Sequence, residues 1–142
     1  MDQQVAQFLQ KNRVCSLTTL RKDGSPHAAA MHFSSNENPF EIYLQTERPS
    51  IKVEALLDGQ PGRASVVVGL SEEEWATLQM DGTIAVVSDN SELNKIYDIH
   101  YLKHPKAKQY RDLKDTIFLK FVPTWWRYTE FKPEMKIISS EK

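Results

Sequence analysis

Ser50 and Lys52 sit where an extended segment hands over to a helical one. Ile42 and Leu44 alternate with Glu41, Tyr43 and Gln45, the period-two pattern of a half-buried strand. Thr46-Glu47-Arg48-Pro49 breaks that pattern, and Ile51, Ala55 and Leu56 then recur as the apolar members of a short helix. The first turn of a helix carries unpaired backbone N–H groups and the positive end of its dipole, so an anion is stabilised there. A serine hydroxyl and a lysine ammonium beside those groups would make a phosphate cradle. An exposed turn with an ordinary surface lysine has the same spacing, and Ser-x-Lys alone does not separate the two.

Other residues capable of chemistry are sparse. His100 and His104 are four apart, the spacing that puts two imidazoles on one helix face, but no third metal ligand is placed beside them and Pro105 follows at once. His27 and His32 lie at odd spacing in one strand and so face opposite sides. Ser71-Glu72-Glu73-Glu74 reads as a solvated acidic surface rather than a catalytic carboxylate cluster. In a strand through Trp125-Trp126-Arg127-Tyr128, Trp125 and Arg127 share one face, Trp126 and Tyr128 the other. One face can be core, while the other exposes an aromatic and an arginine, a composition found at subunit interfaces and stacking sites. No nucleophile elbow, Walker loop or dinucleotide glycine fingerprint occurs.

These residues must be positioned by the 142 residues of one domain, with 40% apolar and 26% charged side chains. A net charge of −1 provides no global field for nucleic acid or an anionic membrane. The single cysteine, Cys15, rules out an intramolecular disulfide and lies in an apolar run that suits the core. No apolar run approaches the roughly 20 residues of a spanning helix, and no apolar leader opens the chain, so a cytoplasmic protein is expected. Residues 1–11 have the pattern of an amphipathic helix. Strands are expected over 14–20, 26–33, 40–45, 63–70, 72–80 continuing through 83–87, 116–122 and 125–131. Asp23-Gly24 marks a hairpin, Asp81-Gly82 a bulge or sharp bend, and Pro123 a break. Helices are expected over 91–102 and 105–113. The pattern is mainly β: an antiparallel barrel of six to seven strands with peripheral helices. The domain spans 1–132, and 133–142 form a polar, loose tail.

The motif order across residues 8–131 carries a resemblance. Phe8-Leu9 and Arg13-Val14-Cys15-Ser16-Leu17-Thr18-Thr19 precede Asp23-Gly24-Ser25-Pro26-His27. Ile42-Tyr43-Leu44-Gln45-Thr46, Ser50-Ile51-Lys52, Leu78-Gln79-Met80-Asp81-Gly82-Thr83 and Tyr101-Leu102-Lys103-His104-Pro105 follow. Together these resemble the FMN-binding split-barrel family related to pyridoxamine 5′-phosphate oxidase, in its general-stress or flavin-reductase-like branch. The resemblance implies a split barrel, a homodimer and two FMN sites at the subunit interface. It implies that Ser50 and Lys52 hold the ribityl phosphate, that Thr46 contacts the flavin, and that Gln79 approaches the phosphate end or the ring. Trp125, Trp126 or Arg127 of the second subunit would lie near the ring.

The implied activity is an FMN-dependent oxidoreductase passing electrons between NAD(P)H and a small-molecule acceptor. The segment after Trp125 lacks the arginine-rich element of pyridoxamine phosphate oxidases, and His27 and His32 occupy the neighbourhood of a usual arginine, so vitamin B6 oxidation is not expected. Two alternatives remain on the same fold: a non-catalytic flavin or heme carrier, and a deazaflavin-dependent reductase. A small nucleic-acid-binding barrel is disfavoured by the near-neutral charge.

Overall fold

The computed structural model describes residues 1–141. Helix α1 (Gln3–Lys11) starts at Asp2, whose carboxylate accepts from the Gln4 and Val5 amides at 2.8 and 3.2 Å, and it buries Val5, Phe8 and Leu9. Strands β1 (Val14–Leu20) and β2 (Pro26–His32) form the expected hairpin, with Gly24 at φ 86° in the turn. A short β3 (Ser34–Asn36) and β4 (Glu41–Glu47) follow. After the 3₁₀ segment Ile51–Leu56 come β5 (Gly62–Val68) and β6 (Ala76–Val86). Helix α2 (Asn90–Lys103), capped by Asp89, leads into a second 3₁₀ segment, Pro105–Tyr110. The chain ends with β7 (Thr116–Glu130) and β8 (Lys136–Ser139).

All strand pairings are antiparallel, in the order β2-β1-β5-β6-β7-β4-β3, with β8 on β7. The sheet curls into a half-barrel whose interior holds Leu17, Phe33, Leu44, Val66, Leu78, Ile84 and Phe121. Cys15 is fully buried there as expected, and burial pushes its thiol up to about 12. A second, smaller core lies outside the sheet, where Ile96 and Tyr101 of α2 pack on Tyr43, Val87 and Phe118. Short β3 pairs only with Glu41, Ile42 and Tyr43, so Gln45, Thr46 and Glu47 have a ladder partner on the β7 side alone. Strand β2 is likewise paired only to β1. The barrel is therefore split between β2 and the far end of β4.

Four local expectations are corrected. Pro123 does not end a strand: β7 runs through it, because Asp81 faces Trp125 while Gly82 faces Pro123, leaving Thr124 as the extra residue of a bulge. A bulge is where a strand tolerates a proline without its N–H. The irregularity at Asp81-Gly82 agrees with the expected bend, and a Cβ on Gly82 would overlap the Val122 carbonyl. Strand β6 starts at Ala76 rather than at Glu72, since the glutamates form a solvated turn that ends at Trp75, φ 50°. The tail is not loose throughout: Lys136–Ser139 pairs with Arg127–Glu130. The segment after Pro49 is 3₁₀, with Val53 and Leu56 as its buried residues and Ile51 left 44% exposed.

Candidate functional site

At the split, β2, β4, the Ile51–Leu56 segment and the second 3₁₀ segment surround a cleft of about 400 Å³. Its walls include Ala30, Met31 and His32 of β2 and Gln45, Thr46 and Glu47 of β4. Both strands present an edge without a ladder partner here, so backbone donors and acceptors are available to a bound molecule. The volume lies within the range of small-ligand sites, about 300–1,000 Å³.

Lys52 closes one end of the cleft. Its Nζ donates to Ser50 Oγ at 2.5 Å and to Thr46 Oγ1 at 3.2 Å. Residues from the strand end, the turn and the 3₁₀ segment thus converge on one ammonium. The convergence is built by packing: Val53 and Leu56 point into the core, and the buried Thr19 hydroxyl donates to the Lys52 carbonyl at 2.8 Å. Arg21 Nε to Glu54 Oε1, 3.1 Å, ties the same segment to the hairpin. The 3₁₀ segment is too short for a helix dipole to matter, and the Ser50 side chain caps nothing. The attraction for an anion comes from the ammonium itself.

Burial lowers the Lys52 pKa, while the charge of Glu47 pulls it back upward. Its hydrogen-bond partners are neutral hydroxyls rather than carboxylates. A partly desolvated cation with two hydroxyls beside it fits the phosphate of FMN, and the cleft behind it can take the ring system. FMN therefore fits the donor set of this site.

His100, buried on α2, also lines the cleft. Its Nδ1 lies 2.7 Å from Ser34 Oγ. His104 Nε2 donates to the Phe33 carbonyl at 2.7 Å, leaving Nδ1 buried without a partner among the described residues. The His104 ring lies 5.0 Å from that of His100 and 5.1 Å from that of His32, centre to centre. Burial pushes the His100 pKa down to about 3, helped by the charges of His104, Lys103 and His32. His104 is lowered chiefly by burial. His32 faces the cleft and His27 the opposite side of β2, as the odd spacing requires.

Gln79, Trp125, Trp126 and Arg127 do not line this cleft. Gln79 faces Arg127 across β6 and β7 on the outer surface, and the Arg127 guanidinium lies 5.4 Å from the Trp125 ring. Trp125 Nε1 donates to Glu141 at 2.6 Å. Trp126 turns the other way and packs on the core beside Phe40, ring centres 6.4 Å apart. Sequence reasoning missed His100, Gln45 and Tyr110 as cleft residues. Gln45 stands next to Thr46 in a quoted motif, but only the packing of α2 brings in His100 and only the following segment brings in Tyr110.

The family model for pyridoxamine 5′-phosphate oxidase matches residues 1–130. No curated protein sequence matches the chain. Among solved structures, a Clostridium acetobutylicum protein related to general stress protein 26 of B. subtilis is 18% identical, with a TM-score of 0.70 over 96% of this chain and 90% of its own. A heme binding protein from Mycobacterium smegmatis is 17% identical, with a TM-score of 0.74 over 98% of this chain and 59% of its own. Campylobacter jejuni ChuZ is 14% identical, with a TM-score of 0.71 over 95% of this chain and 57% of its own. Likeness at these identities establishes the shared fold. No helix among the described residues is long and apolar enough to cross a membrane.

Proposed function

The chain belongs to the pyridoxamine 5′-phosphate oxidase family, and on that premise we propose that it is a cytoplasmic, homodimeric FMN-binding oxidoreductase. The observation that carries the reading is the convergence of Thr46, Ser50 and Lys52 on one end of the split. In this reading Lys52 and Ser50 bind the ribityl phosphate, and Thr46 contributes a further hydroxyl. The unpaired edges of β2 and β4 meet the polar rim of the ring, and Met31 and Ala30 its apolar face. When bound, FMN supplies hydride exchange between a reduced nicotinamide and a small acceptor. The protein's own part is to hold the phosphate, exclude water from the ring and limit access.

The outer face of β6 and β7 is read as the surface for the second copy. It carries Gln79, Trp125 and Arg127 side by side, an aromatic and an arginine of the kind found at interface centres. The partner copy would offer them to the ring of the facing site. Trp126, held against the core, would act only by shaping that face.

The test is a titration with FMN, with riboflavin as the control lacking phosphate. FMN should bind at least tenfold more tightly than riboflavin, and Lys52→Ala should remove that difference. Equal affinity for the two would sink the phosphate assignment. One observation favours a second reading, a heme carrier: His32 and His100 line the same cleft, and a structural neighbour is a heme binding protein. A Soret band on adding hemin, lost in His32→Ala, with no flavin binding, would select it.

A further inference from the structure

A second, smaller cavity of about 240 Å³ is bounded by Arg48, Ser88, Tyr97, Arg111, Thr116 and Phe118. The two sites share a rim. Thr46 and Glu47 line one and Arg48 the other, and Tyr110 and Arg111 divide between them in the same way. The wall between them includes Gln45 of β4, whose Oε1 accepts from the Tyr101 hydroxyl at 2.6 Å.

The chemistry of this cavity is one-sided. Two guanidiniums and the hydroxyl-bearing Ser88, Tyr97 and Thr116 line it, and among the described residues no carboxylate does. Arg111 is oriented by the Tyr97 ring, 4.9 Å from its centre, and that ring stacks on Tyr101 with centres 5.7 Å apart. Its Nε also reaches Asp112 at 3.4 Å, but the Asp112 side chain is 90% exposed, so this pair is weak and screened. The Arg48 amide donates to the Asp115 carbonyl at 2.9 Å, which fixes the backbone from which that guanidinium extends. Ile117, Val87 and Leu93 complete an apolar floor.

We propose that this cavity is an oxyanion subsite, which takes the phosphate of a phosphorylated small molecule bound beside the flavin cleft. Arginine forks match phosphate oxygens in pairs, and the Ser88 and Thr116 hydroxyls can serve the third. The volume accommodates a phosphate or diphosphate with the rest of its carrier outside. A diphosphate anchored here would lie across the shared rim from the cleft, where a nicotinamide nucleotide reaching a flavin would run. The subsite does not depend on what fills the cleft.

The experiment titrates sodium pyrophosphate calorimetrically into the full chain carrying Lys52→Ala, which removes the neighbouring cation. Binding should persist in that background and weaken at least tenfold on adding Arg48→Met or Arg111→Met, with Arg111→Lys intermediate. No binding in the Lys52→Ala chain, or affinity unchanged from that chain in both methionine variants, overturns the proposal. Arg48 is exposed, so Arg48→Met alone decides the matter if Arg111→Met does not fold. A parallel titration with NADPH separates the sources. Weakening in step with pyrophosphate identifies a dinucleotide, whereas pyrophosphate binding without NADPH binding identifies a smaller free phosphate. Loss of FMN binding in Lys52→Ala, tested separately, reports only on the cleft.

Discussion

The split side of the barrel and its closed wall belong to one sheet but leave their polar groups in opposite states. Along β5, β6 and β7 every strand has two neighbours for most of its length, and several outward side chains are already engaged. Ser65 Oγ donates to Asp81 at 2.7 Å, Arg127 lies over Trp125, and Trp125 donates to Glu141. At the split, β2 and the far end of β4 run out of ladder partners, and Lys52 has only hydroxyls. A wall whose groups satisfy one another is a surface to pack against. An edge whose groups wait for a partner is a place to bind something small.

The sharpest way to break that contrast is to damage the wall. Gly82→Ala would drive a Cβ into the Val122 carbonyl at the bulge, so the ladder must shift. Urea unfolding should show a loss of roughly 3 kcal/mol or more. A loss under about 1 kcal/mol would mean that the bulge relaxes freely and that the wall is less rigid than described.

The next effect belongs to the histidines behind the split. His100 is neutral when folded, with a pKa pushed down from 6.5 to about 3. Above pH 6.5 neither folded nor unfolded chain carries its proton, and this stability is fully present. As pH falls below 6.5 the unfolded chain takes up the proton and the folded one does not, so stability drops until about pH 3. Between pH 7 and pH 4 this one group should remove about 3 kcal/mol. His104 shifts in the same direction and adds to the loss. Replacing His100 by Gln should flatten the pH dependence of the melting temperature in that window, although it costs stability at pH 7. A slope unchanged in His100→Gln would place the acid sensitivity elsewhere.

Binding at the split should respond in smaller steps. Lys52→Ala should weaken FMN by about 1.5–3 kcal/mol, the worth of a hydrogen bond to a charged group. Its effect on unfolding should be under about 1 kcal/mol, since the ammonium touches only hydroxyls. Thr46→Val keeps the shape and removes one neutral hydroxyl, so FMN affinity should fall by about 0.5–1.5 kcal/mol. If Thr46→Val costs as much as Lys52→Ala, the threonine rather than the lysine is the principal contact. A large loss of stability in Lys52→Ala would show the ammonium to be part of the scaffold.

Much of the frame could be read from residue order. Ile42 and Leu44 alternating with polar neighbours became β4, Asp23-Gly24 became the hairpin turn, and Asp81-Gly82 marked the bulge. The first two depend on side-chain period or on a glycine's backbone freedom, both local properties, while Gly82 works because a Cβ there would meet Val122 across the ladder. Pro123 was misleading because its effect depends on what lies across the ladder: Gly82 opposite it allows a bulge instead of a break. The tail strand Lys136–Ser139 was hidden for a similar reason. Its short Lys-Ile-Ile-Ser run carries too little pattern by itself and gains order only by pairing with the edge of β7 and packing Ile138 on the core.

The candidate site divides along the same line. Thr46, Ser50 and Lys52 lie within seven consecutive residues, so their types and spacing already carried the phosphate reading. That the lysine is half-buried, paired with both hydroxyls and backed by His100 follows from packing: Thr19 on β1 grips the Lys52 carbonyl, and α2 is carried across the sheet by its own small core. The placing of Arg111 over Tyr97 beside Arg48 is likewise invisible along the chain, because the two arginines are brought together by a strand end and a helix exit distant in sequence. Sequence determined the elements and the short motif, since period, turn chemistry and local spacing are properties of neighbours along the chain. The tertiary structure decided where the barrel stays open, because an unpaired edge exists only once every other strand has found its partner.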